Sequence, residues 1–149
     1  MNYNLFFWVG LISLTVVCGA IFALTLYVRS NYSEALKRMS SGKPQEALDL
    51  LMRVVAWQTR HVPALWQTAL LHLSVDKPDA GVRYLEKIIS IMDSEPDKAA
   101  AQARWEITEA RVCAKLAWTL SKMNKRSEAI VYFRRLVEFS HEGWARVTF

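Results

Sequence analysis

The beginning of the chain lacks charge. No lysine, arginine, aspartate or glutamate occurs before Arg29, although the whole sequence has 19 basic and 14 acidic residues. Leu5 to Val28 is a run of 24 uncharged, mostly apolar residues, about 36 Å long as a helix and therefore long enough to cross a bilayer. A cleaved signal peptide would have a basic start and a short apolar core before small residues, and both are missing. The sequence predicts a transmembrane anchor over residues 1–28 and a second domain over residues 29–149.

The chain is also poor in the residues that build reactive sites. It has two cysteines and three histidines, and none of them is spaced like the ligands of a metal. No glycine-rich phosphate loop and no grouping of Ser, His and Asp stands in a suitable context. We therefore expect no catalytic residue, no metal and no cofactor, and a function that depends on binding. The five glycines and four prolines are too few for a long disordered linker.

One pattern recurs three times after the apolar run. Each copy has a polar turn, a very small residue, a large apolar residue four positions later and another three positions after that. The three sets are Ala47, Leu51 and Val54, then Gly81, Leu85 and Ile88, then Ala129, Phe133 and Leu136. Such spacings place each set on one face of a helix, and the small residue allows a second helix to come close.

The distance between the copies indicates a helical repeat. Gly81 follows Ala47 by 34 residues, and Ala129 follows Gly81 by 48, which leaves 14 extra residues in the third unit. A period in the thirties with two helices per unit is typical of helical arrays. The pattern resembles the second helix of a tetratricopeptide repeat (TPR), and the resemblance covers roughly Val28 to His141. The expected fold is all-α, with one N-terminal transmembrane helix followed by a TPR-like array of about three helical hairpins. A generic stack of helical hairpins is the alternative.

Helix boundaries follow from the positions of proline and glycine. Neither residue interrupts Val28 to Ser41, so the first helix of repeat one can continue from the membrane span. The residues from Asp93 to Pro96 are typical of the start of a helix. No further proline and no glycine occur from there to Met123. This predicts one long helix of about 28 residues, or one further turn before a first helix of ordinary length.

The TPR resemblance implies a concave groove lined by the first helix of each repeat. Counting from the small residue, the implied lining residues are Tyr32, Leu36 and Met39 in repeat one, Trp66, Leu70 and Leu73 in repeat two, and Ala114, Trp118 and Lys122 in repeat three. This apolar and aromatic lining differs from that of TPR proteins that clamp a terminal carboxylate with Lys and Asn. The expected ligand is an apolar helix or an extended hydrophobic segment. Alternatively, these residues only pack against one another.

The last repeat is expected to leave apolar surface uncovered. Repeat arrays need terminal caps with a polar outer face, whereas the nine residues after the last predicted helix have only Trp144, Val147 and Phe149 as large apolar side chains and can cover only part of this face. We expect a protein partner or a second copy to dock on this face and on the adjoining groove. The candidate partner-binding residues are Tyr32, Leu36, Trp66, Leu70, Leu73, Trp118, Lys122 and Trp144.

The charges that follow the span predict its orientation. Arg29, Lys37, Arg38 and Lys43 come after it, and positive residues stay on the cytoplasmic side. We expect a single-pass protein of a bacterial inner membrane with its N-terminus outside and its repeats cytoplasmic; periplasmic repeats are the alternative.

The expected function is that of a membrane-anchored TPR adaptor that binds and positions a protein partner. The alternative is a small structural or accessory subunit of a multi-subunit membrane complex. Nucleic acid is not an expected partner, because the basic residues lack interleaved exposed aromatics. The sequence is also compatible with a homo-oligomer.

Overall fold

The computed structural model describes the backbone of residues 3–147 and the side chains of Trp8 and of residues 10–139. All regular secondary structure in this part of the chain is helical, which confirms the predicted all-α class. The helices are α1 Tyr3–Ser40, α2 Pro44–Trp57, α3 Val62–Ser74, α4 Pro78–Asp93, α5 Lys98–Trp105, α6 Glu109–Lys122 and α7 Arg126–Val147.

The helices belong to two compact units, Met1–Trp57 and Gln58–Phe149. In the first unit α1 packs against α2, and in the second α3 packs against α4, and α6 against both α4 and α7. The pairs α1–α2, α3–α4 and α6–α7 are helical hairpins, and they correspond to the three predicted repeats. The predicted boundary between anchor and repeats, after Val28, falls within α1 and stays a prediction.

Each hairpin turns through a residue with a left-handed backbone. Gly42, Asp76 and Asn124 have φ angles of 72°, 57° and 59°, and these residue types adopt that conformation at the lowest steric cost. The amide of the following lysine then donates to a carbonyl five residues back. These bonds are Lys43 to Arg38 at 3.0 Å, Lys77 to His72 at 2.9 Å and Lys125 to Leu120 at 2.9 Å. This is the Schellman arrangement, and it ends the first helix of each repeat at the same place.

The small residue of each repeat is buried, as the pattern predicts. Ala47, Gly81 and Ala129 have almost no exposed surface. At Gly81 a Cβ atom would lie 2.6 Å from Leu73 Cδ2 and 3.2 Å from the carbonyl oxygen of Ala69. Glycine therefore lets α4 pack directly on α3.

The insertion before the third hairpin does not form the predicted long helix. Instead α5 ends at Trp105, Glu106 takes a left-handed backbone with φ of 56°, and α6 begins at Glu109. The Thr108 hydroxyl accepts a hydrogen bond from the amide of Arg111 at 3.2 Å and caps α6. The prediction of one helix was wrong because a threonine cap can start a helix without proline or glycine.

Helix α1 is long and apolar enough to cross a membrane. Its stretch Gly10–Ser40 contains a window with a mean hydropathy of 2.3, only 6% of which is buried within the protein. Large side chains such as Ile12, Val16 and Phe22 are exposed. The hydroxyls of Thr15 and Thr25 donate to carbonyls one turn back, Ile12 at 2.8 Å and Phe22 at 2.7 Å, so the helix itself satisfies them. A signal sequence near the N-terminus would also meet this criterion of length and hydropathy, whereas a buried core helix does not have this exposure.

Candidate functional site

A groove lies between α3 and α6 in the second unit. It has a volume of about 410 Å³ and is lined by Trp66, Leu70, Arg111, Ala114, Lys115 and Trp118. Trp66 is buried, whereas the ring of Trp118 is 51% exposed at the edge of the groove. Four of the lining residues, Trp66, Leu70, Ala114 and Trp118, are those that the sequence placed on a concave surface. The two helices thus bring together aromatic side chains that are 52 positions apart in the chain.

Cationic side chains lie over both tryptophans of this groove. The guanidinium carbon of Arg111 is 5.1 Å from the ring centroid of Trp66. The ammonium groups of Lys115 and Lys122 are 4.9 Å and 3.9 Å from the ring of Trp118. Contacts of this kind orient the rings and contribute about 0.5–1 kcal/mol each where water has access. The groove therefore has an apolar floor and a positively charged rim.

The sequence analysis missed two members of the rim. Arg111 and Lys115 were not among the candidates, although their spacing from Trp118 and Lys122 was available. Positions 111, 115, 118 and 122 are separated by four, three and four residues, so they form one stripe along a helix. The lining is therefore more basic than the apolar and aromatic surface that the sequence predicts.

The remaining candidates occupy other places. Tyr32 and Leu36 lie on α1, in the first unit, where Tyr32 is half-buried and Leu36 exposed. Leu73 is half-buried, with its side chain over Gly81 of α4. The side chain of Trp144 lies outside the described residues. Whether any of these residues contacts a partner stays a prediction.

Four charged side chains form a cluster that ties α4, α5, α6 and α7 together. Glu109 is only 2% exposed, and it is paired with Arg135 and, at 3.6 Å, with Lys98. Asp93 accepts from Lys98 at 3.0 Å and from Arg135 Nη1 at 3.3 Å. The hydrogen bond from Arg135 holds the pKa of Asp93 below its usual range. Burial lowers the pKa of Arg135, but the bonds and attraction of Asp93 and Glu109 outweigh it and raise the pKa above its ordinary value.

The two acidic and two basic side chains neutralise one another, and their contacts link the four helices. Cys113, nearby on α6, is fully buried, and burial raises its pKa to about 11, which keeps the thiol protonated at neutral pH. His72 is half-buried and stacks on Tyr84 with a centroid distance of 5.5 Å. Among the described residues, no group of three or more His, Cys, Asp or Glu side chains could hold a metal ion.

Solved structures share this arrangement of helices. Two crystal structures of MamA, a TPR-containing protein, match with TM-scores of 0.64 and 0.63 at 20% and 21% sequence identity. The fold is TPR-like. The matched regions cover 79% and 82% of this chain but 61% and 58% of the MamA chains, so the chain spans about three-fifths of their length. No protein-family model and no curated protein matches the sequence.

Proposed function

We propose that the chain is a membrane-anchored adaptor that binds a protein segment in the groove between α3 and α6. The observation that carries this proposal is the half-exposed Trp118 beside an apolar floor formed by Trp66 and Leu70. Tryptophan is among the residue types that contribute most to protein binding when an interface buries them. The TPR-like fold, whose function in general is protein interaction, supports the same conclusion.

The floor of the groove favours an apolar segment as the ligand. A partner side chain inserted beside Leu70 and Ala114 would be removed from water, as would the exposed face of Trp118. Burial of apolar surface stabilises a complex by roughly 25 cal/mol per Å². The rim cations Lys115 and Lys122 already cover part of the Trp118 ring. They would remain at the border of the interface, where charges affect the association rate more than the affinity.

Helix α1 supplies the membrane attachment in this proposal. Its exposed apolar side chains would be stable in lipid and unfavourable in water. Arg29, Lys37, Arg38 and Lys43 follow the span, and this favours repeats on the cytoplasmic side. The acidic neighbours of these residues, Glu34 and Glu46, do not change that orientation, because acidic residues contribute little to it.

The test is to replace Trp118 with alanine in the full-length protein. The partner is first identified by purification in mild detergent, and its affinity is then measured with the purified components. We expect Trp118→Ala to weaken binding by about tenfold or more, in the range of an interface tryptophan. The matched control is Trp57→Ala, because Trp57 is similarly exposed but lies on α2, in the other unit.

A photo-crosslinking residue at Ala114 identifies the segment that enters the groove. We expect the crosslinked peptide to be predominantly apolar, and the same residue at the exposed Ala56 to give no crosslink to it. Unchanged affinity of Trp118→Ala together with an intact fold would show that the groove is not the binding site. The alternative, an accessory subunit of a membrane complex, predicts that all of the protein co-purifies in fixed stoichiometry, whereas an adaptor is partly free.

A further inference from the structure

The outer face of α7 is an uncovered copy of a surface that is covered on α4. The repeat register aligns Val82, Leu85 and Ile89 of α4 with Ile130, Phe133 and Val137 of α7, since each set lies one, four and eight positions after its small residue. The α4 residues are 5%, 0% and 6% exposed, whereas those of α7 are 55%, 48% and 54% exposed. Helix α4 is followed by a further hairpin that packs on it through α6, and among the described residues α7 has no such neighbour.

One position beside this face carries a charge of the opposite sign to that at the same position of α4. The acidic residues of α4 contact the next hairpin: Asp79 binds Lys125 at 3.1 Å, and Glu86 accepts from the Tyr132 hydroxyl at 3.5 Å. At the position of Glu86 in the register, α7 has Arg134. Arg126, two turns before Arg134, lies on the same face by helical periodicity. Both arginines are exposed and have no carboxylate partner among the described residues.

We propose that the outer face of α7, formed by Ile130, Phe133 and Val137 together with Arg126 and Arg134, binds an amphipathic acidic helix of a partner protein. The partner's apolar stripe takes the place that α6 occupies on α4. Its carboxylates face Arg126 and Arg134, as the basic third hairpin faces the acidic α4. This site is separate from the groove between α3 and α6 and does not depend on the function proposed for it.

Two synthetic helical peptides test the proposal. Both have the same leucine and alanine stripe over about 18 residues, or five turns, and they differ only in a polar face of glutamate or of lysine. Binding of the labelled peptides to the full chain in phosphatidylcholine nanodiscs is followed by fluorescence anisotropy. We expect the glutamate peptide to bind at least about tenfold more tightly than the lysine peptide, because like charges at the interface oppose binding.

Variants of α7 locate the binding surface. Phe133→Ser is expected to weaken binding of the glutamate peptide by about tenfold. Val131→Ser is the matched control and should leave this binding unchanged. Val131 is also an exposed apolar residue of α7, but helical periodicity places it about 130° away from the centre of the outer face. The double change Arg126→Glu and Arg134→Glu should reverse the preference in favour of the lysine peptide. All three variants alter exposed side chains, and circular dichroism checks that the helices are retained.

The results can overturn the proposal in four ways. Equal binding of the two peptides would exclude recognition of acidic residues, and binding that survives Phe133→Ser would place the site elsewhere. A dimer in analytical ultracentrifugation that Phe133→Ser abolishes would assign the face to a second copy. Binding to vesicles with phosphatidylglycerol, lost in the double arginine variant and without peptide binding, would assign it to a lipid surface. Trp118→Ala should leave peptide binding unchanged, which separates this site from the groove.

Discussion

Glu109 shows at the scale of a single residue what sequence patterns leave out. In the sequence it is an acidic residue at a helix start, where a carboxylate is favourable next to the helix dipole. In the structure it is buried and paired with Arg135, from a helix 26 positions away along the chain. Burial of a carboxylate is tolerated only with partners, and these partners come from α5 and α7. No local pattern could identify the pairing, because it depends on how three helices meet.

We predict that Glu109→Ala destabilises the second unit by about 3 kcal/mol, because it leaves the guanidinium of Arg135 without its buried partner. The value is at the low end for such pairs, since Arg135 keeps Asp93. The control is Asp79→Asn, which breaks the exposed pair with Lys125 and should cost less than about 1 kcal/mol. Urea unfolding followed by circular dichroism measures both. Equal effects of the two changes would show that burial of Glu109 contributes nothing.

At the scale of elements, the sequence predicted the hairpins well because their signals are local. In each repeat the small residue follows the turn residue by five positions; the turn residues are Gly42, Asp76 and Asn124. Periodicity then identifies the buried face of α2 and α4, whereas in α7 Ala129 is buried but Phe133 is 48% exposed. The break between α5 and α6 was missed because its cap, Thr108, resembles many threonines inside helices, and only the left-handed Glu106 marks the end of α5.

The packing of α4 on α3 gives a second prediction. Replacement of Gly81 by leucine places a side chain where Leu73 and the backbone of Ala69 already lie. We expect the free energy of unfolding to fall by about 3 kcal/mol, in the upper part of the range for overpacking. Arg83→Leu adds the same side chain to an exposed position of α4 and should change stability by no more than about 0.5 kcal/mol. A melting temperature of Gly81→Leu equal to that of the unsubstituted protein would mean that α3 and α4 do not pack closely at this point.

For the whole molecule, the repeat period and the pattern of small and large residues together indicated a TPR-like fold, and the TPR resemblance implied the groove. Trp66, Leu70 and Trp118 are brought together because the same position of successive repeats faces the same side. The rim was harder to predict, since Arg111 and Lys115 resemble the solvated charges of any helix until their tryptophan contacts are seen. The exposure of Phe133 was equally hard to predict, because Phe133 and Leu85 hold the same position in their repeats and only the structure shows that Phe133 is exposed.

The orientation of the chain in the membrane gives the last prediction. We expect residues 29–149 to be cytoplasmic, because Arg29, Lys37, Arg38 and Lys43 follow the span and such residues are retained on the cytoplasmic side. A protease added to intact spheroplasts should then leave the repeats undigested, and should degrade them once detergent opens the membrane. A periplasmic protein digested in the same sample is the control for access. Digestion of the repeats before detergent is added would place them in the periplasm. The mass of the isolated protein tests the anchor separately: loss of the residues up to Val28 would identify α1 as a cleaved signal sequence, and the adaptor would then have no membrane span of its own in this region.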